Sequence, residues 1–108
     1  MQSLGVKVVT SAGTPVQLST SDLFCDEVIF VPMQSLGAAG TPTTENAEPL
    51  YVMNSNVAKS ASSTNIILPL QPGQPGTSLR SRKDKGLNLK NMWIDADTSG
   101  DGVHVSFI

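Results

Sequence analysis

Met92-Trp-Ile-Asp-Ala-Asp-Thr-Ser-Gly-Asp-Gly-Val-His-Val-Ser-Phe-Ile108 holds two apolar alternations on either side of a turn rich in Gly and Asp. Val103, Val105 and Phe107 fall on one face, and His104 and Ser106 on the other, which is the period of a strand with one buried side. Each inward side chain stabilises by about 1.5–3 kcal/mol when fully buried. The closest pairing available is a hairpin between 92–95 and 103–108. Gly100 and Gly102 would then take positive φ, and Asp97 and Asp101 would bond the local backbone. The same stretch resembles a calcium loop, with Asp95, Asp97, Ser99 and Asp101 at alternate positions and Gly100 between the last two. The bidentate carboxylate that closes such a loop is missing, because Ser106 stands there and lies in a strand pattern. The turn reading is therefore preferred, and no metal is expected.

Strand patterns recur upstream. Glu27-Val-Ile-Phe-Val-Pro32 is the strongest, and its continuous apolar character predicts burial on both faces. Shorter strands are expected at 6–10, 16–18, 50–53, 65–70, 87–89 and 92–95, with Val57 returning to the core. Pro69 marks its strand as an edge or a strand end. Turn signals fall at 12–15, 54–56, 71–76 and 97–102. About seven or eight short strands at this spacing predict an all-β fold in one domain over 1–108, an antiparallel sandwich or a jelly-roll-like barrel. Two stretches, 33–48 and 71–86, read as long loops. The first is an interface arm or an insertion, with Met33 and Leu36 as its apolar candidates for partner contact.

Composition agrees. The 108 residues include 13 Ser, 9 Thr, 9 Gly and 7 Pro, and only 15% are charged. Coiled coil is excluded by that balance, and wholesale disorder by the 39% hydrophobic content and net charge of -2. With no global excess of positive charge, neither nucleic acid nor an anionic membrane is expected as a partner. The longest apolar run, Val28-Ile-Phe-Val31, is far short of the roughly 20 residues of a membrane helix. Residues 1–10 carry one charge, Lys7, and no apolar stretch of a signal peptide, so export by the usual route is not expected. The single cysteine, Cys25, allows no intrachain disulfide and suits a reducing cytosol. Met1-Gln-Ser-Leu-Gly5 recurs at 33–37, and Ala-Gly-Thr-Pro at 12–15 and 39–42. The two offsets differ, so this reads as local duplication or coincidence rather than a structural repeat.

Arg80-Ser-Arg-Lys-Asp-Lys85 holds four of the seven basic residues. Arg80, Arg82, Lys83 and Lys85 are candidates for contact with a protein surface or for a solvated loop. No aromatic residue is interleaved to stack on bases, which disfavours nucleic acid. Like charges this close repel, so the loop is expected to be mobile until a partner orders it. His104 reads as an exposed structural histidine, Trp93 as core or interface packing and Cys25 as a small buried hydrophobe. No phosphate loop, catalytic carboxylate pair or Ser–His–Asp signature is present, so no enzyme and no cofactor are expected.

Four fragments in order resemble a diffuse family of small virion proteins of tailed bacteriophages. They are Val9-Thr-Ser-Ala-Gly-Thr-Pro-Val-Gln-Leu18, Leu50-Tyr-Val-Met-Asn-Ser-Asn-Val57, Leu68-Pro-Leu-Gln-Pro-Gly73 and Met92-Trp-Ile-Asp-Ala-Asp-Thr-Ser-Gly-Asp-Gly-Val103. Met53 stands where the family often has Gly, and the 33–48 and 77–86 segments are longer than in compact members. The resemblance implies a virion structural role, foremost a capsid decoration or cement protein on the capsid exterior, made in the host cytoplasm. Its partner would be the major capsid protein, and a homotrimer is the favoured assembly. It is also compatible with a head–tail connector, a tail-associated ring or a head-fibre base. A glycan-binding adhesion module is the reading from a different class.

Overall fold

The computed structural model describes residues 1–36, 42–60 and 64–108, the side chains of residues 36, 42 and 43 excepted. Its strands are β1 (Gln2–Val8), β2 (Val16–Gln17), β3 (Phe24–Cys25), β4 (Glu27–Pro32), β5 (Ser35–Leu36), β6 (Pro42–Thr44), β7 (Leu50–Met53), β8 (Ile66–Leu70), β9 (Thr77–Arg80), β10 (Leu87–Asn88), β11 (Trp93–Ala96) and β12 (Gly102–Phe107). A 3-10 turn at Leu89–Asn91 precedes β11, and there is no α-helix among the described residues. Two four-stranded antiparallel sheets have the orders β1-β12-β4-β9 and β2-β11-β7-β8, and β3–β10 and β5–β6 form two-stranded ribbons.

Leaving out the ribbons, the eight remaining strands pair first with last, second with seventh, third with sixth and fourth with fifth. These pairs are β1 with β12, β2 with β11, β4 with β9 and β7 with β8. A single long antiparallel ribbon wound over itself produces those pairs, and the winding adds β12 beside β4 and β11 beside β7. This is the jelly roll. Of the two architectures the sequence left open, the chain adopts this one, with eight strands in its main sheets.

The winding overturns the hairpin expected at the end of the chain. β11 and β12 do not pair; they lie in opposite sheets, and residues 97–101 carry the chain across. Gly100 has the expected positive φ of 97°, whereas Gly102 does not have positive φ. Gly102 is needed for another reason: a Cβ there would lie 2.6 Å from the Lys7 carbonyl oxygen and 3.0 Å from that of Met33. The inward alternation of β12 is as expected, with Val103, Val105 and Phe107 buried. They join Val28 and Phe30 of β4 and, from the other sheet, Leu50, Val52, Leu70, Ile94 and Ala96 in one hydrophobic cluster.

β4 is corrected in a similar way. Val28, Phe30 and Pro32 are buried, but Ile29 and Val31 are only half-buried. Both belong to the outer face, opposite Ser106 and His104 respectively, and a Cβ at Gly76 would lie 3.4 Å from a methyl group of each. A partly covered outer face gives the same apolar run as a two-sided core. Val57, expected in the core, is 39% exposed.

Neither long loop is wholly irregular. Residues 77–80 form edge strand β9, and its alternation was hidden because Leu79 is its only large apolar residue. Within 33–48, β5 and β6 pair. This excursion is pinned at a buried corner. Asn46 accepts from the Gly102 N–H (2.9 Å) and donates to the Gly102 carbonyl (2.8 Å), standing in for a neighbouring strand. Asp101 accepts from the Ala47 and Glu48 backbone N–H groups and from Gln34 Nε2. It therefore bonds remote segments rather than its own turn. The second copies of the repeated motifs extend to residues 37–41, which lie outside the described residues.

Three of the four edges of the main sheets are blunted. β1 carries a bulge between Ser3 and Gly5, β8 carries Pro69, and β2 is two residues long. Such edges resist pairing with other chains, which directs attention to the ends of the sandwich.

Candidate interaction surface

One end of the sandwich is built where β4 starts, β12 finishes and β9 gives way to the basic run. Asp26 and Glu27 organise it. The Asp26 N–H donates to the Ile108 carbonyl (2.7 Å), and the Ile108 N–H donates to the Glu27 carbonyl (3.0 Å). Ser81 N–H donates to the Asp26 carbonyl (2.8 Å). The Asp26 carboxylate accepts the Lys85 backbone N–H at 2.6 Å and has the Lys85 ammonium at 3.6 Å. Glu27 takes the Arg80 guanidinium at 2.7 Å.

These bonds close residues 81–86 into a turn. Ser81 Oγ accepts from the Lys83 N–H and donates to the Lys83 carbonyl, and the Gly86 N–H returns to that carbonyl. Lys85 is the one described non-glycine residue with positive φ (51°). The space beside Gly86 is filled by Ser81 Oγ, so a Cβ would not fit. The basic run, expected to be mobile, is thus held by named hydrogen bonds. The Lys85 N–H holds the Asp26 carboxyl below the ordinary carboxylate range, and the Lys85 charge adds to this. Glu27 raises the Arg80 guanidinium in turn.

The four basic candidates therefore divide. Arg80 and Lys85 are spent on Glu27 and Asp26. Arg82 and Lys83 are exposed at the tip and, among the described residues, have no ion-pair partner. Beside them lies an apolar patch that sequence reasoning missed: Met1 is 73% exposed, Phe24 56% and Ile108 48%. The signal for Phe24 was its neighbour. Cys25 is buried, so alternation in the short strand β3 turns Phe24 outward. A hollow of about 380 Å³ includes Arg82, Lys83 and Ile108, and a second of about 320 Å³ includes Phe24, Met1 and Ile108.

The apolar candidates of the 33–48 segment do not join this end. Met33 is buried, 3% exposed, so it faces the interior of the isolated chain rather than a partner. The Leu36 side chain lies outside the described residues. Cys25 behaves as a buried hydrophobe, and burial pushes its thiol pKa up, with Asp26 adding to the effect.

The carboxylates of the calcium-like stretch do not converge. Asp95 is buried on the outer side of β11, accepting from the backbone N–H groups of Gly13, Lys59 and Ala96. Asp97 takes the Lys59 ammonium at 2.8 Å and the Tyr51 hydroxyl at 3.0 Å. The same ammonium lies 4.7 Å from the centre of the Tyr51 ring. Among the described residues no group of three or more His, Cys, Asp or Glu is placed to hold a metal ion.

This last cluster carries a pH dependence. The hydrogen bond from Lys59 holds the Asp97 carboxyl below its ordinary value, with Tyr51 acting in the same direction. A depressed folded-state pKa adds stability that is complete above the unfolded value of about 3.9 and is lost as pH falls through the folded value. Asp97→Asn should therefore melt below the parent chain near neutral pH, and the gap should close as pH falls through the folded-state value. Thermal melts at several pH values check this; a gap that stays constant would contradict it.

Compared with protein-family models, curated proteins and solved structures, the chain has no match in any of the three.

Proposed function

We propose that this chain is a structural component of a tailed-phage virion that decorates the outside of the capsid and strengthens it by bridging capsid subunits. The observation that carries the reading is the end of the sandwich, where exposed Ile108 joins a hollow walled by exposed Phe24 and Met1 to one lined by the cations Arg82 and Lys83, which have no ion pair among the described residues. Exposed apolar side chains rimmed by polar groups mark surfaces that other proteins cover. The order of the four family-like fragments supports the same reading. So does the jelly roll, by analogy only, since viral capsid and lectin domains use it for unlike tasks.

The mechanism is clamping. A subunit bound across a seam adds contacts that must break before the capsid subunits separate, and an interface of about 1,600 Å² in total suffices for specific binding. A homotrimer would multiply those contacts without adding new chemistry. The cationic tip makes attachment sensitive to salt, so occupancy on particles should fall as ionic strength rises.

Purified virions test the proposal. Hundreds of copies per particle on the head exterior are expected. About six or twelve copies would instead assign the chain to a single ring of the connector or tail, and absence from the particle would remove the virion reading altogether. The mass of the free protein in solution checks the trimer.

A further inference from the structure

We propose that this end of the sandwich is a docking site for one kind of partner, a protein segment with a large apolar side chain next to carboxylates. The proposal rests on the attachment reading above and supplies the chemistry of the contact. Its two halves are the adjoining hollows that share Ile108. The hollow of about 320 Å³, walled by Phe24, Met1 and Phe107, matches the lower end of the roughly 300–1,000 Å³ range of ligand sites. It suits one or two inserted side chains. The neighbouring hollow is lined by Arg82 and Lys83, the two cations of the run without an ion pair among the described residues, together with the Glu27–Arg80 pair, Asp26 and Asp84.

The site is prearranged. Asp26 fixes the backbone at Ser81 and at Lys85, so the tip does not have to be ordered when a partner arrives, and that entropic cost of binding is already met. Chemistry selects the occupant. A phosphate backbone seeks a run of unpaired cations and releases counterions in proportion to them. Here Glu27 and Asp26 neutralise Arg80 and Lys85, and Asp84 sits between the remaining charges and Lys85. Stacking on bases would rest on Phe24 alone. Two cations beside an apolar hollow fit a carboxylate-bearing apolar segment instead.

Three dye-labelled synthetic peptides serve as probes of the intact protein by fluorescence anisotropy: Gly-Ser-Glu-Leu-Phe-Glu-Ser-Gly, the same peptide with Gln for Glu, and the same peptide with Ala for Leu and Phe. The first should bind roughly tenfold more tightly than either of the others, and its advantage over the Gln peptide should vanish at high salt. Joint replacement Arg82→Glu and Lys83→Glu should abolish the preference for Glu. Phe24→Ser should abolish the preference for Leu-Phe. These residues are exposed, so melting temperatures should match the parent chain. Lys7→Glu, at the far end of β1, should leave all three affinities unchanged. Equal binding of the three peptides would overturn the proposal. So would an equal loss with Lys7→Glu, tighter binding of a single-stranded oligonucleotide, or self-association of this chain that the same substitutions remove.

The two proposals fail separately. Virions that lack the chain, with peptide selectivity intact, would remove the capsid reading and keep the site. Virions on which the Phe24 and Arg82/Lys83 variants keep full occupancy would remove the site and keep the capsid reading.

Discussion

Gly102→Ala should destabilise the protein by about 3 kcal/mol or more and lower its melting temperature by roughly 12–20 °C. The cause is crowding from both sides. β12 is central in its sheet, and at Gly102 it passes between the carbonyl oxygens of Lys7 and Met33. The Val8 Cα closes the space further, 3.2 Å from where an added methyl carbon would lie. These are backbone atoms of neighbouring segments, so no side chain can swing aside. The strands must part, and parting them breaks the bonds that Gly102 makes with Asn46 and Met33. Gly100→Ala is the matched comparison. No atom lies within 4 Å there, but φ is 97°, so only the backbone conformation is penalised, by about 1–2 kcal/mol. Thermal denaturation followed by circular dichroism ranks the two. A Gly102→Ala melt close to the parent, or above that of Gly100→Ala, would refute the crowding argument.

Asp101→Ala should cost about 2–4 kcal/mol and loosen the 42–48 segment selectively. The fully buried carboxylate accepts from Ala47 N–H at 2.9 Å, Glu48 N–H at 3.1 Å and Gln34 Nε2 at 2.8 Å. Bonds to a charged acceptor contribute about 1.5–3 kcal/mol each. Two effects hold the total below their sum. Removing the carboxylate also removes the penalty for burying it, and water can reach the exposed residues 47 and 48. Asp101→Asn keeps part of the acceptor but turns an amide N–H₂ toward donors, so it should fall between Ala and the parent. Amide hydrogen exchange gives the site-specific check. Protection at Ala47 and Glu48 should drop sharply in Asp101→Ala while the β12 amides facing β4 change little. A uniform loss across both sheets would instead mean that the corner is part of global unfolding.

Both predictions concern residues whose types the sequence displayed and whose roles it concealed. Asp101 sits in a Gly- and Asp-rich turn, where the local-backbone role is the usual one, yet its partners lie 53, 54 and 67 residues away. Gly102 suggested a left-handed turn, yet its lack of a Cβ matters only because two distant strands converge on it. The interaction surface follows the same pattern. The basic run was visible as composition, but which of its cations remain free was decided by Asp26 and Glu27. These two residues reach the run through the pairing of Glu27 with Arg80. Phe24 was legible only by alternation against a buried Cys25.

The sequence by itself determined the class of fold, the inward face of β12, the places of the turns and the restriction of Pro69 to an edge or a strand end. Each depends on side-chain alternation or on turn chemistry within a few residues, which the order of residues states directly. Tertiary structure decided that β11 and β12 separate into opposite sheets, that β9 completes the edge beside β4, and that the hollow lined by Arg82 and Lys83 adjoins that of Phe24 at Ile108. The physical reason is that strand partners are chosen by burying two sheets' apolar faces against each other at once. That choice depends on the whole chain, so no single stretch of it carries the answer.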